Sequence, residues 1–183
     1  IMLIGDLPFY PSVKSPLVWA NQDIFQLEKN GEMRFVSGAP NSPTAHFGRQ
    51  VWGHPLYNWD NLEKIVAFWK MRLRYQATLF DDIRFDHAKG IFSYGVMDVN
   101  NEQNDRYIDG PGAEVFKDLI TFSQQNDLAI FAEDNGDKTE ELRKTLKELD
   151  IPGIKIFLFA LKKNENIIND NYANISAYPK NCV

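Results

Sequence analysis

Charged and imidazole side chains stand at the ends of two short apolar segments of this sequence. Arg84, Asp86 and His87 lie on and just after one segment, and Glu133 and Asp134 follow the other. In a parallel α/β sheet, side chains at the carboxyl ends of neighbouring strands point into a common cleft. Two carboxylates in such a cleft, one beside a fixed positive charge, are the groups that cleave a glycosidic bond. The sequence therefore predicts a carbohydrate-active site.

Each of these residues also has a purely structural interpretation. Arg84 and Asp86 could form an ion pair at a strand end, since structural ion pairs also perturb charged groups. Glu133 or Asp134 could cap the helix that follows. His87 could be a buried, hydrogen-bonded histidine of the core. The residue types alone leave these alternatives open.

The composition is that of a single well-cored globular domain. The chain has 183 residues, 44% of them hydrophobic, and a formal net charge of −5. It contains no basic block that would indicate nucleic-acid binding. No apolar run approaches the roughly 18–20 residues of a membrane helix, and the first residues lack the basic flank of a signal peptide. The only cysteine is Cys182, so no intrachain disulfide can form, which suits the cytoplasm.

The sequence shows no sign of a metal or cofactor site. His46 and His54 lack cysteines or carboxylates at the spacing of metal ligands. Gly110-Pro111-Gly112 precedes a predicted helix and is not a phosphate-binding loop. We therefore expect neither a metal ion nor a cofactor.

The spacing of apolar residues predicts strands that alternate with helices. Predicted strands cover residues 1–4, 82–86, 128–132 and 154–160, with another beginning near 178, and predicted helices cover 61–79, 112–125 and 139–149. Two long stretches, 9–59 and 91–110, lack this periodicity. The first is rich in Pro, Gly, Asn and aromatic residues, and long irregular inserts of this kind are usually binding or lid elements.

This order of elements predicts an α/β fold with a parallel sheet and right-handed crossovers. Four apolar strands with functional groups at their carboxyl ends fit a partial (β/α)8 barrel. Residues 1–183 would then be a piece of one catalytic barrel domain. Residues 9–59 would form a substrate-binding or lid-like insert after the first strand.

Six short blocks of residues follow one another along nearly the whole chain. They are Gly5-Asp6-Leu7-Pro8-Phe9-Tyr10, Val18-Trp19-Ala20-Asn21, Val51-Trp52-Gly53-His54-Pro55-Leu56-Tyr57, Arg84-Phe85-Asp86-His87, Gly110-Pro111-Gly112 and Ala132-Glu133-Asp134. In this order they resemble the 4-α-glucanotransferases, the amylomaltases or disproportionating enzymes of glycoside hydrolase family 77 in the α-amylase clan. Ala-Glu-Asp alone is a weak signal, but six blocks in order, including Trp-Gly-x-Pro-Leu-Tyr, are specific.

The resemblance implies a (β/α)8 barrel that transfers part of an α-1,4-glucan to the 4-hydroxyl of another sugar. It also implies retention of configuration through a covalent glycosyl-enzyme. On this resemblance Asp86 is the nucleophile and Glu133 the general acid/base, while Arg84 orients Asp86 and keeps it ionised. The implied partners are maltooligosaccharides and other α-1,4-glucans. The implied location is the cytoplasm, or a plastid if the source is a plant.

The resemblance also indicates residues that contact the substrate. Asp6, Trp52 and His87 fall at positions similar to substrate-contacting ones. Arg84 and Asp134 are predicted to join them. Trp52 could instead simply pack the insert.

The chemistry of a retaining site agrees with these roles. Such a site needs two carboxyls about 5–5.5 Å apart, one ionised and one protonated. Arg84, two residues before Asp86 on the same strand face, is predicted to lower the pKa of Asp86. Glu133 must donate a proton to the leaving oxygen and then act as a base. Whether the acceptor is a sugar or water decides between a transferase and an α-glucan hydrolase, and the carboxylates leave that open.

The chain departs from the family pattern in its extent. The family usually carries a third catalytic carboxylate in a Thr-x-His-Asp block, and this block is absent. The resemblance covers about strands three to six of the barrel. We therefore expect a fragment that is inactive alone, with a non-catalytic remnant as the alternative. An open half-barrel would also expose sheet edges and associate or dissolve poorly.

Two local departures concern the predicted site. Where relatives have a Pro-Pro-Asp-Tyr-type run in a loop that contacts the donor sugar, this chain has Ala39-Pro40-Asn41-Ser42-Pro43-Thr44. After the nucleophile, Ala88 and Lys89 replace the usual Phe and Arg. Because lysine cannot make the bidentate fork of arginine, we expect any carbohydrate or carboxylate contact there to be weaker.

Overall fold

A parallel sheet and an antiparallel sheet form the framework of the chain. The computed structural model describes residues 1–41, 48–156, 178 and 182–183. The parallel sheet has the order β1-β4-β7, and the antiparallel sheet has the order β3-β2-β5-β6. The strands are β1 (Ile4–Leu7), β2 (Phe35–Ala39), β3 (Gln50–Val51), β4 (Asp82–Phe85), β5 (Ser93–Asp98), β6 (Arg106–Asp109) and β7 (Ala129–Ala132). The helices are α1 (Pro16–Ala20), α2 (Leu62–Ala77), α3 (Ala113–Gln124) and α4 (Glu140–Glu148).

The parallel sheet is the α/β unit that the periodicity predicts. Helix α2 precedes β4 and helix α3 precedes β7, so each pair of neighbouring parallel strands is joined by a helical crossover. The apolar face of α2 buries Ile65, Trp69 and Leu73. These side chains belong to the same core as Ile83 and Phe85 of β4, which are fully buried. Burial of this apolar surface fixes the sheet against the helices.

The first strand begins and ends about three residues later in the chain than predicted. The ladder with β4 runs from Ile4 to Leu7, and the side chains of residues 1–3 are exposed. Residues Gly5 and Leu7 face the core while Asp6 points to the other side. Because Pro8 has no N–H to donate, the strand ends at Leu7.

The prediction of an irregular connection over residues 91–110 was wrong. Strands β5 and β6 form an antiparallel hairpin there. Every residue of β5 is buried, so the strand shows no polar alternation that would have revealed it. Strand β2 of the 9–59 insert pairs with β5, and the insert therefore shares a sheet with a segment more than fifty residues later.

The last predicted strand extends mostly outside the described residues. Residues 157–160 of that strand are not described, and residues 154–156 form no strand. Beyond β7 the parallel pairing continues through single bridges from Ala132 to Gly153 and from Gly153 to Cys182.

Within the described part of the chain, none of the helices combines the length and apolar character that crossing a membrane requires.

Candidate active site

The carboxyl ends of β1, β4 and β7 bring the predicted catalytic residues together. Asp6 pairs in register with Arg84 across the two strands. The N–H of Asp86 donates to the carbonyl of Leu7 at 3.1 Å, and the N–H of Glu133 donates to the carbonyl of Phe85 at 3.0 Å. These bonds continue the parallel ladders one residue past β4 and β7. Both carboxylates are therefore held at the same edge of the sheet.

Arg84 contacts three carboxylates. Its Nη1 lies 2.8 Å from Oδ1 of Asp6. Its Nη2 lies 2.7 Å from Oδ1 of Asp86 and 2.6 Å from Oε2 of Glu133. Because one nitrogen contacts both catalytic candidates, their two oxygens are no farther apart than the sum of these distances. That short separation fits the carboxyl spacing of a retaining glycosidase site.

The predicted lowering of the Asp86 pKa was wrong in its net direction. Burial raises the pKa of Asp86 to about 6, and this effect outweighs the lowering by Arg84. The negative charges of Glu133 and Asp6 raise it further. Desolvation disfavours the ionised carboxylate more than one shared guanidinium favours it. Arg84 therefore limits the rise but does not reverse it.

His87 supports Glu133 through its backbone. The residue adopts a left-handed conformation with φ of 48°, and its N–H donates to Oε2 of Glu133 at 3.2 Å. Burial lowers the pKa of the His87 imidazole to about 3, so the ring is neutral at physiological pH. Its Nε2 is buried and has no hydrogen-bond partner among the described residues.

A cavity of about 260 Å³ opens beside the two carboxylates. It is lined by Pro8, Tyr10, Trp52, His54, Asp86, His87 and Glu133. The Trp52 ring meets the His87 ring edge-on, with centroids 4.7 Å apart. The Tyr10 and His54 rings are stacked, with centroids 6.5 Å apart. Aromatic faces next to polar groups form a surface that suits a sugar ring.

Tyr10 and His54 are site residues that the sequence reasoning missed. Both belong to the sequence blocks quoted above, but neither was assigned a role. His54 was considered only as a metal ligand, and no group of three or more His, Cys, Asp or Glu in the described residues is placed to hold a metal ion. The signal in the sequence that could have revealed them is their position within those blocks, Tyr10 two residues after Pro8 and His54 two residues after Trp52.

Ser37 of β2 fixes the loop that carries Trp52 and His54. Its backbone N–H donates to the carbonyl of His54 at 2.9 Å, and its carbonyl accepts from the N–H of Trp52 at 2.9 Å. Its Oγ accepts from the N–H of His54 at 3.1 Å. Because Ser37 is completely buried, no water can replace these bonds. The antiparallel sheet thus supports one wall of the cavity.

Substituting Ser37 with Ala should lower the free energy of unfolding by about 1–3 kcal/mol, because the buried N–H of His54 loses its side-chain acceptor. The midpoint of denaturant unfolding checks this. Ser12→Ala is the matched control, since Ser12 is exposed and should change the stability by less than about 0.5 kcal/mol. Equal midpoints for the two variants would show that the Ser37 contact contributes nothing.

The structure places Asp134 away from the cavity. Its Oδ2 lies 3.1 Å from Nε of Arg143, and its Oδ1 accepts from the N–H of Ile154 at 3.0 Å. Only 5% of the Asp134 side chain is exposed. The residue does not cap α4, whose N-cap position is Thr139. These contacts are structural, and the role of Asp134 in substrate binding stays a prediction.

Of the two local departures from the family pattern, the one at Ala88 and Lys89 lies wholly within the described residues, and the one at residues 39–44 lies only partly within them. Ala88 and Lys89 are buried and do not line the cavity. Of the segment 39–44, residues 42–44 lie outside the described residues.

A parallel α/β sheet that presents two closely spaced carboxylates at its carboxyl edge is typical of glycosidase-type proteins. The comparison with known families agrees with this class. The chain belongs to glycoside hydrolase family 77, described as 4-alpha-glucanotransferase, and the family model matches residues 1–183.

Individual relatives show the same similarity. The chain is 36% identical to a 4-alpha-glucanotransferase of Aquifex aeolicus over 91% of this chain and 34% of the relative. It is 36% identical to one of Clostridium butyricum over 100% of this chain and 37% of the relative. The chain therefore spans about a third of the length of these relatives.

A solved structure agrees in fold. Amylomaltase from Streptococcus agalactiae, in complex with acarbose, superimposes with a TM-score of 0.83 at 28% identity, covering 100% of this chain and 36% of that one.

Proposed function

We propose that the protein containing this chain is a retaining 4-α-glucanotransferase in which Asp86 is the nucleophile and Glu133 the general acid/base. The observation that carries this proposal is the shared contact of both carboxylates with Nη2 of Arg84. It holds the two groups close together at the edge of the parallel sheet, beside a cavity with aromatic walls.

In the first step the carboxylate of Asp86 attacks the anomeric carbon of the donor glucan. The bond from that carbon to the glycosidic oxygen breaks, and Glu133 transfers its proton to the leaving oxygen. Oε2 of Glu133 already accepts hydrogen bonds from Arg84 and from the backbone of His87. Oε1 is therefore the oxygen that can carry the proton.

In the second step the 4-hydroxyl of an acceptor sugar attacks the same carbon from the opposite face. The bond to Asp86 breaks, and Glu133 takes the hydroxyl proton. Two inversions restore the original configuration. Transfer wins over hydrolysis when the acceptor site holds a sugar better than water, which the aromatic walls support.

The proposed substrates are maltooligosaccharides and other α-1,4-glucans. Trp52 and His87 would contact the sugar from the cavity wall, which both residues line. Asp6 would support the site by holding Arg84. Asp134 would act from outside the cavity, where Arg143 and the N–H of Ile154 hold it. We propose no metal ion and no cofactor, because protonated and ionised carboxyls supply the chemistry.

The proposed architecture is part of a (β/α)8 barrel. Strands β1, β4 and β7 would be consecutive barrel strands, and the bridges through Gly153 and Cys182 would lead to the next two. Residues 9–59 would be a substrate-binding insert that is braced by the β5–β6 hairpin. The proposed location is the cytoplasm, or a plastid for a plant protein; a potato relative is named as chloroplastic/amyloplastic.

The decisive experiment uses the protein encoded by the complete reading frame that contains these residues, incubated with maltotriose. The sugar ladder and the total reducing ends are followed together. Glucose and longer maltooligosaccharides at constant reducing ends would support the transferase. Rising reducing ends without longer products would make the protein an α-glucan hydrolase, and no change would refute both.

The rate of transfer is expected to rise as the pH increases through about 6, because Asp86 attacks only when ionised and its pKa is raised to about 6. A profile of kcat/KM against pH measures this rise. If kcat/KM changed between pH 5 and 7 by no more than the assay error, the prediction would be contradicted.

The contribution of Asp86 to folding stability is expected to move in the opposite direction. The folded state binds the Asp86 proton more tightly than the unfolded state, so this contribution is greatest below the unfolded pKa and is lost as the pH rises through about 6. The loss should be on the order of 1 kcal/mol, because partial exposure of the side chain screens the effect. Asp86→Asn should remove this part of the pH dependence in thermal unfolding.

A further inference from the structure

A buried lysine lies behind the catalytic carboxylates. Lys89 belongs to the 3-10 turn Ala88–Ile91, which begins two residues after Asp86, and only 6% of its surface is exposed. It does not line the cavity. Burying an ammonium group is costly unless it is compensated, so the contacts that compensate it indicate what it does.

Two contacts hold the ammonium group of Lys89. Its Nζ donates to the backbone carbonyl of Asp137 at 2.8 Å. It also lies 5.2 Å from the centroid of the Tyr107 ring, in a cation–π contact. Asp137 belongs to the loop that follows β7, and Tyr107 belongs to β6. One side chain thus joins the turn after the nucleophile to two other parts of the fold. These are the acid/base loop, which runs over residues 133–139 between β7 and α4, and the β5–β6 hairpin.

Other contacts also tie the acid/base loop near this point: Asp134 is held by Arg143 and by the N–H of Ile154, and the carbonyl of Gly136 accepts a hydrogen bond from Oγ1 of Thr139. Glu133, at its start, is held by Arg84 and by the backbone of His87. Asn135 is buried, with 9% of its surface exposed. Its side-chain nitrogen and oxygen have no hydrogen-bond partner among the described residues. Lys89 adds to these contacts a tie between the turn after the nucleophile and the loop at Asp137.

We propose that Lys89 is a positioning residue that fixes the acid/base loop relative to the nucleophile, a role that rests on the proposed glucan-transfer function. Proton transfer to the leaving oxygen depends on the alignment of Glu133 with the bond that Asp86 breaks. Misplacement by about 1 Å can reduce a rate by about 100-fold. Lys89 acts on this alignment without touching the substrate.

The charge on Lys89 is part of this contact. Burial lowers the pKa of Lys89, and the negative charges of Asp137, Glu133 and Glu140 oppose this lowering. Tyr107 faces the ammonium as a neutral ring, because burial raises the pKa of its hydroxyl. The cation–π contact is lost when the lysine deprotonates. Arginine would keep the charge at every accessible pH.

The test compares Lys89→Met and Lys89→Arg in the complete protein, with Lys64→Met as a control at an exposed lysine that pairs with Asp23. Lys89→Met should lower kcat for maltotriose disproportionation by about 10- to 100-fold and leave KM within about twofold. Lys89→Arg should keep most of kcat and retain it to a higher pH than the wild type. Lys64→Met should leave both constants unchanged.

Amide hydrogen exchange at residues 135–138 separates this proposal from the proposed function. It should be faster in Lys89→Met than in the wild type and in Lys89→Arg, whether or not the wild type transfers glucan. An inactive wild type would refute the proposed function alone. Unchanged exchange, an unchanged kcat in Lys89→Met, or a rise in KM without a loss of kcat would overturn the positioning role. If Lys89→Met fails to fold, the pH profile of Lys89→Arg becomes the test. Its kcat must persist to a higher pH than that of the wild type, or the positioning role is overturned.

Discussion

Replacing Asp86 with Asn is expected to lower the rate of glucan transfer by on the order of 10⁴-fold or more, because an amide cannot form the glycosyl-enzyme bond. The substitution keeps the shape of the side chain, so the cavity and the contacts of Arg84 with Asp6 and Glu133 should remain. The measurement is the sugar ladder from maltotriose, followed in the complete protein over several decades of enzyme concentration.

Asp82→Asn is the matched control for this experiment. Asp82 lies on the same strand, β4, but at the opposite end from the candidate site. Its substitution should leave the rate within about twofold, because surface changes away from the chemistry have small effects. If Asp86→Asn kept more than about a hundredth of the wild-type rate, Asp86 could not be the nucleophile.

Replacing Glu133 with Gln should slow transfer from maltotriose by about 10²- to 10⁴-fold, because the glutamine cannot protonate the leaving oxygen. A donor whose leaving group needs little protonation separates this role from a structural one. With maltosyl fluoride, the variant should still release a burst of fluoride as the glycosyl-enzyme forms. Turnover should then stall, since no base activates the acceptor hydroxyl.

Glu114→Gln is a suitable comparison, because the side chain of Glu114 is 89% exposed on α3. This variant should behave like the wild type with both donors. Loss of the fluoride burst in Glu133→Gln would indicate that the substitution disturbs Asp86 through Arg84 and not the proton transfer. The acid/base assignment would then have to be abandoned.

Local patterns in the sequence predicted much of the α/β unit. Buried Ile83 and Phe85 alternate with Arg84 along β4, so the strand and the direction of the arginine follow from a period of two. Helices α2 and α3 bury residues at helical spacing. The residue blocks that resemble the family indicated the class, which the family match confirms.

The second sheet was not predictable from local patterns. Strand β5 is buried along its whole length, and its partner β2 lies far away in the chain. Ser37 gains its role only through this pairing, since it reaches the loop of Trp52 and His54 from β2. Long-range pairing depends on which segments meet, and periodicity carries no information about that.

The sequence by itself determined which residues could do chemistry and at which strand ends they stand. Only the tertiary structure decided how their atoms meet: one nitrogen of Arg84 contacts both Asp86 and Glu133, and Arg143 draws Asp134 away from the cavity. It also reversed the expected direction of the Asp86 pKa. The physical reason is that a residue's type and spacing set its charge and its face, whereas desolvation and partner geometry depend on all the segments packed around it.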